Sequence, residues 1–530
     1  MFSFKNVLKK INIVKRGKEL NGPLLLCGDY AELHSRITGK DDFKKTIKSI
    51  KENKYNHIKI IIGLTRYNFF RVNEILKFCL ALLEKEYIAS DNEKILIAQF
   101  NIFPIRDIVS NFFLYLERIK GILKNCANIE IELIDEDLRT ILEIAGFNAY
   151  LHPECENDLA RTLGVVCEGV FIGPQTIVVD PYHRCNIKCI HCFVHNPIIT
   201  HKEEFLKREI SIDRFKEIID DAAELKVENI ILQGDGEPLL HPNFLDMIRY
   251  VSQKGVKPLF FTNGCFLNQK IAKEVIDLGV IQIFCSLPAG TEQGYEKVCI
   301  NPKKGEWFHI IVENLRALME LKRNFRKIHP VLTMTHVLHS LNFDELIKMA
   351  ELDVYIGADS ARFYLIRLDK NNRHLKLSDE QIATIEKDLS VATDIFKKAG
   401  IEFIDNIRFQ LSHYDNNTGA WSKDIFLKEG CVIGWYFCLI PALGDISMCC
   451  HLRTVGYLNE KGLKDIWLSD YYKRKRYQLK FISSYKDVEC MNGVKLYDEH
   501  CEHCDNHQNL LNALTKLKDF GLYRFLNNDI

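Results

Sequence analysis

The chain has 530 residues, enough for more than one core, and its 47% apolar and 27% charged content is that of a globular protein. Lys plus Arg equals Asp plus Glu at 71 each, so no net field draws it onto nucleic acid or anionic lipid; a small-molecule or peptide substrate fits better. Lysines interrupt the apolar residues of the opening stretch, and no later run reaches the ~18 apolar residues that span a bilayer, so a cytoplasmic protein without membrane segments is expected.

Between residues 58 and 134, strand-like runs ("IKIIIGL", "KILIAQFNIF", "NIEIELI") alternate with helix-period stretches ("VNEILKFCLALLEKEY", "IVSNFFLYLERIKGIL"). They predict an α/β domain within residues 1–150, and nothing in its residues names a function. A second series starts near Thr176: "TIVVD", "NIILQ", "PLFFT", "IQIFCS", "HPVLTMTHV" and "SARFYLI", separated by helical patterns such as "DRFKEIIDDAAELK". Six β/α units in a row predict an α/β fold with a partial (β/α)6 barrel over residues 170–375, its ligands at the C-terminal ends of the strands. Over residues 425–510 the periodicity weakens and seven cysteines appear, which predicts a small domain braced more by metal than by apolar burial.

Eighteen cysteines in a reducing compartment argue for metal ligation over disulfides, and ten of them fall in two dense groups. The first, "HRCNIKCIHCFVHN", follows the first barrel strand and places Cys185, Cys189 and Cys192 with gaps of three and two residues. Three thiolates can hold a cubane iron-sulfur cluster by three of its irons and leave the fourth open. Zinc completed by His183, His191 or His195 is the competing reading. After the second barrel strand comes "GDGEPLLHP", where glycines let the backbone approach a ligand and Glu237 supplies an acceptor.

These motifs, with "FFTNG" and the six β/α units, resemble the radical S-adenosylmethionine (radical SAM) superfamily over roughly residues 174–370. The resemblance implies a [4Fe-4S] cluster on Cys185, Cys189 and Cys192. The open iron would chelate S-adenosylmethionine (SAM), and reductive cleavage would give a 5′-deoxyadenosyl radical that abstracts a substrate hydrogen. It further implies that His191 packs near adenine, that Glu237 receives the methionine ammonium, and that Gly236 and Pro238 shape that loop. Thr262 and Asn263, and Ser286 in "FCSLPAG", resemble the ribose and carboxylate contacts. Asp235 departs from the pattern, standing where the family has a glycine and placing a side chain close to the ligand.

In the second group, Cys431 and Cys449 are separated by seventeen residues, with Gly444 five before Cys449, and Cys501 and Cys504 form a Cys-x-x-Cys pair. This spacing resembles the SPASM or shorter twitch extension, which implies one auxiliary [4Fe-4S] cluster on Cys431, Cys449, Cys501 and Cys504, with Cys438, Cys450 and Cys490 as alternates. A zinc ribbon is the competing reading here. The remaining cysteines, Cys27, Cys79, Cys126, Cys155, Cys167, Cys265, Cys285 and Cys299, have no ligand spacing and read as small apolar side chains. The "KRKR" run at Lys473–Arg476 reads as a solvated face.

The resulting expectation is an oxygen-sensitive oxidoreductase acting on a peptide or carbohydrate-type substrate, with a ferredoxin or flavodoxin-type electron donor as in the resembled family. A redox-neutral rearrangement or group transfer, and a non-catalytic zinc-braced binding protein, are the alternatives. Neither the residue that acts as substrate-side acid or base nor the oligomeric state is legible.

Overall fold

Two units divide the chain in the computed structural model, which describes residues 24–26, 60–69, 129–133, 136–300 and 306–526 together with Lys44 and Ile75. One unit comprises residues 1–172 and 511–530, the other residues 173–510.

In the first unit, β1 (Leu24–Leu26), β2 (Ile60–Leu64) and β3 (Ile129–Leu133) form a parallel sheet in that order. The strands expected at "IKIIIGL" and "NIEIELI" are present; "KILIAQFNIF" and the two helical stretches between lie outside the described residues. Helix α1 (Glu136–Leu151) buries Leu138, Ile141, Leu142, Ala145 and Ala149, the 3.6-residue stripe of a helix with one apolar face. Helix α2 (Glu156–Cys167) follows, and the C-terminal segment is tied to both: Asn148 Nδ2 donates to the Phe520 carbonyl, and Lys516 lies 2.8 Å from Asp158.

In the second unit, the six expected strands form. They are β4 (Thr176–Val179), β6 (Asn229–Leu232), β7 (Lys257–Thr262), β8 (Gln282–Ser286), β10 (Val331–Leu338) and β11 (Ser360–Leu365), each parallel to the next. The intervening short strands β5 (Lys188–Cys189) and β9 (Cys299–Ile300) pair with each other outside this sheet. Amphipathic helices cover the barrel: α3 (Ile212–Glu224), α4 (Phe244–Gln253), α5 (Gln269–Asp277), α6 (Glu306–Asn324), α7 (Leu346–Ile356) and α8 (Asp379–Ala399). Their ends are fixed by local chemistry: Ser211 and Asn268 accept from first-turn amides of α3 and α5, and Ser378 with Gln381 makes a capping box on α8.

The barrel is open. Beyond β11 the sheet ends at β12 (Glu402–Phe403), and beyond β4 it continues into β13 (Phe437–Ile440), β14 (Asp445–Ser447) and β15 (Thr454–Tyr457). Strand β13 is parallel to β4, with Cys438 opposite Ile177, so the cysteine-rich segment is grafted onto the first barrel strand. The cysteine-rich segment also has apolar burial of its own, with Trp467, Leu463, Ile466 and Tyr472 all buried. One sequence reading needs correction here. The basic run is only in part a solvated face: Arg474 is exposed, but Arg476 is buried over the rings of Trp467 and Tyr472 and donates to the Gly434 and Trp467 carbonyls, and buried Lys475 donates to the Glu489 carbonyl. Charge counting misses this because a guanidinium with aromatic faces and carbonyls around it tolerates burial.

Candidate active site

Strand β4 ends at Val179 and hands the chain through Asp180 to the loop that carries Cys185, Cys189 and Cys192. Backbone N–H groups of Val194 and His195 donate to Cys192 Sγ at 3.4 and 3.1 Å, and Asn263 Nδ2 lies 4.0 Å from Cys185 Sγ. Burial pushes the Cys185 and Cys192 thiols up, Cys192 to about 11, the hydrogen bond to Cys299 and then burial raise Cys189, and the charge of Cys189 opposes ionisation of the other two. Three half-buried thiolates are therefore costly until a cation neutralises them, as a metal cluster does. Among the described residues, the ligand sets whose atoms all lie within 4.8 Å are Cys450–His451–Cys504 and Asp180–His183–Asp235, so these three sulfurs are more widely spaced than that. One zinc ion with bonds of about 2.3 Å would hold its sulfurs within roughly 4.6 Å of each other. Two histidines of the zinc reading are also engaged elsewhere, His183 Nε2 2.8 Å from Asp180 and His195 Nε2 2.9 Å from the His183 carbonyl, while the His191 ring lies 5.5 Å from that of His339 with its Nδ1 unpartnered. The donor set fits a cluster larger than one ion.

The loop after β6 packs directly on this segment. A Cβ on Gly234 would lie 1.9 Å from Asp180 Oδ1, and one on Gly236 would lie 2.3 Å from the Tyr182 carbonyl and 2.4 Å from the Arg184 carbonyl. Both positions therefore need glycine for close approach. The Glu237 N–H donates to the Arg184 carbonyl at 2.8 Å, and the buried Pro238 starts a turn, Pro238–Leu240. The buried Glu237 carboxylate accepts from Thr262 Oγ1 at 2.8 Å, from the Asn263 N–H at 2.7 Å and from the Leu239 N–H at 3.2 Å. Burial lifts its pKa to about 7, and these donors work the other way. Asn263 links the two loops, since its Nδ2 also donates to Asn186 Oδ1 at 2.8 Å. Ser286 is exposed at the end of β8. Asp235 is turned toward His183, 3.7 Å away, which already pairs with Asp180; the unusual acid is absorbed by a histidine of the cysteine loop.

Cys299, read from sequence as apolar filler, has its sulfur 3.7 Å from that of Cys189, because β9 pairs with β5 across 110 residues of chain. Cys265 also belongs here, its thiol bonded to Asn186. No spacing rule could have found either residue.

The second cysteine group gathers around Arg453. This guanidinium, 1% exposed, donates to Cys449 Sγ at 3.4 Å, Cys501 Sγ at 3.1 Å and the Leu496 carbonyl at 2.8 Å, and lies 3.1 Å from Asp498. Burial raises the pKa of Cys431, which is near enough that the charges of Cys449 and Cys501 raise it further. Cys504 is positioned by Ser422, whose Oγ accepts from the Cys504 N–H and donates to the Cys501 carbonyl. Cys504 also shares a hydrogen bond with Cys450, which pulls Cys450 well below the usual thiol range. Of the alternates, Cys438 is fully buried on β13 beside Arg476, and Cys490 is buried within reach of the Cys449 charge. Thiols clustered about a buried cation suit thiolates that bind metal.

Comparison with known proteins bears directly on these two centres. Residues 179–352 match the family model of the radical SAM superfamily, and residues 431–505 match that of SPASM, an iron-sulfur cluster-binding domain. The chain is similar to the tungsten-containing aldehyde ferredoxin oxidoreductase cofactor-modifying protein of Pyrococcus furiosus, 24% identical over 54% of this chain and 79% of the relative. It is likewise similar to the AdoMet-dependent heme synthase of Methanosarcina barkeri, 25% identical over 56% of this chain and 82% of that protein. A PqqA peptide cyclase of Bradyrhizobium diazoefficiens is 21% identical over 39% of this chain and 48% of the relative. No helix among the described residues is long and apolar enough to cross a membrane.

Proposed function

The chain belongs to the radical SAM superfamily and carries a SPASM domain, and from that premise we propose that it abstracts one hydrogen atom from a peptide or a cofactor precursor, with net oxidation of the substrate. A radical SAM domain uses a [4Fe-4S] cluster and SAM, and a SPASM domain binds auxiliary iron-sulfur clusters. When bound, the cofactor pair supplies reductive cleavage of SAM to a 5′-deoxyadenosyl radical.

The protein's own contribution is placement. Cys185, Cys189 and Cys192 hold the first cluster, and Glu237 receives the SAM ammonium in an orientation fixed by Thr262, Asn263 and Leu239. Gly236, Pro238, His191 and Ser286 complete the nucleotide site. Cys431, Cys449, Cys501 and Cys504 hold an auxiliary cluster, balanced by Arg453. A barrel that excludes water protects a carbon radical from quenching. The observation that carries the reading is the direct contact of the Glu237 loop with the three-cysteine loop at the mouth of an open parallel barrel. The substrate range rests on the relatives, two of which are named for cofactors and one for a peptide. A ferredoxin or flavodoxin-type donor would supply the electron.

The test is anaerobic reconstitution, followed by measurement of iron, sulfide, zinc and 5′-deoxyadenosine. About eight irons per chain are expected for two cubane clusters, with 5′-deoxyadenosine formed under strong reductant. Stoichiometric zinc without sulfide would overturn the reading. Cys501→Ala is expected to spare SAM cleavage while blocking product, and equal loss of both would overturn the division of labour between the two centres.

A further inference from the structure

One strong positive charge in the barrel lumen has no matching acid. On β11, Ala361, Phe363 and Leu365 are buried toward the helical layer, with Phe363 6.1 Å from Phe396 of α8, so the alternate residues Arg362 and Tyr364 face inward. The Arg362 guanidinium lies over Phe284 of β8 at 4.4 Å, with Phe261 of β7 at 5.4 Å and Tyr364 at 5.1 Å. Its Nε donates to Thr335 Oγ1 at 3.0 Å. Below it, Gln282, Thr333 and Ser360 form a hydrogen-bonded row.

Among the described residues no carboxylate lies within 4.0 Å of Arg362. Asp505 acts on it from farther away, but Gln410 holds that acid at 2.8 Å and Arg367 shares its charge. Arg367 is committed nearby: it covers the Phe193 ring at 4.1 Å and reaches His451 at 3.5 Å, and its charge also acts on Cys450. Arg362 is thus half-buried among aromatic rings, with the hydroxyls of Thr335 and Tyr364 as its hydrogen-bond partners. Withdrawing a cation from water without a carboxylate partner is costly, and a bound anion is the usual compensation. The guanidinium fork matches a carboxylate, and the rings beside it match an apolar group next to that carboxylate.

The lumen also connects to the nucleotide site. Phe284 and Phe261 stack at 4.5 Å, and Phe261 precedes Thr262 and Asn263, which hold Glu237. An occupant anchored at Arg362 therefore lies across one aromatic pair from the place assigned to SAM.

Building on the radical SAM reading, we propose that Arg362 anchors a carboxylate of the substrate, and that the substrate carries an apolar group beside that carboxylate. The test uses 3-phenylpropanoate as probe and 3-phenylpropanamide as neutral control, titrated calorimetrically into cluster-loaded, SAM-saturated protein. The acid is expected to bind and the amide to bind at least ten-fold more weakly. Arg362→Gln should weaken the acid by at least ten-fold, and Arg362→Lys by less, with iron content, thermal midpoint and SAM affinity unchanged. Equal binding of acid and amide, or of the acid to wild type and R362Q, overturns the proposal. So does a parallel loss of SAM affinity, which would give Arg362 to the SAM carboxylate, or equal competition by inorganic phosphate, which would mean that charge alone is read. If R362Q fails to fold, the acid-amide comparison in wild type and R362K still decides. Formation of 5′-deoxyadenosine without substrate is scored separately, so failure of the radical reading and failure of the carboxylate anchor give different results.

Discussion

Gly236→Ala places a methyl group where the structure has none to spare. The added Cβ would meet the Tyr182 carbonyl at 2.3 Å, the Arg184 carbonyl at 2.4 Å and the Arg184 nitrogen at 2.8 Å, all backbone atoms of the segment entering the Cys185 loop. No side-chain rotation relieves this, so one loop must retreat by about 1 Å to reach ordinary contact. The hydrogen bond from the Glu237 N–H to the Arg184 carbonyl goes with it, about 1 kcal/mol. Overpacking adds about 1–3 kcal/mol, giving a total near 2–4 kcal/mol. The functional loss should exceed what stability alone explains, because misplacing a reacting group by ~1 Å costs on the order of 100-fold. The measurements are thermal midpoint, iron and sulfide content, SAM affinity, and the rate of 5′-deoxyadenosine formation under strong reductant. Gly255→Ala is the control: it has a positive φ but open space around it, so it should cost about 1 kcal/mol and leave SAM cleavage intact. A folded G236A protein that cleaves SAM at close to the wild-type rate would refute the claim that contact between these loops sets the site.

Three further outcomes follow from the same geometry. Cys189→Ala should abolish loading of the first cluster whereas Cys299→Ala should leave it, although their sulfurs are 3.7 Å apart; iron quantitation that shows the reverse would exchange their roles. Arg453→Met removes the donor shared by Cys449 and Cys501, and iron should fall from about eight to about four per chain while SAM cleavage persists. Asp353→Ala strips the buried His336 of its 2.9 Å partner, and denaturant titration should show a loss of about 3–5 kcal/mol with no change in iron content, since breaking a fully buried pair leaves one member uncompensated.

Much of the site was written in local spacing. Three thiols within eight residues, and glycines two apart ahead of a glutamate, can be singled out before any fold is known, because each group lies within one short loop. Apolar runs at strand length, alternating with 3.6-period stretches, likewise forced six parallel strands. Some readings failed where tertiary surroundings overrode residue character. The basic run looked solvated because charge is usually exposed, yet aromatic faces and carbonyls receive Arg476 in the interior.

What the sequence alone determined was therefore the grouping of the thiols, the carboxylate in the loop after the second barrel strand and the succession of the barrel strands, all of which depend on residues close in the chain. Only the folded chain decided that β13 extends the sheet from β4, that Cys299 stands beside Cys189, that Arg453 brings Cys501 together with Cys449, and that Arg362 of β11 lies over Phe284 of β8. Those relations join residues tens to hundreds of positions apart, and their energies exist only once packing has removed water from between them.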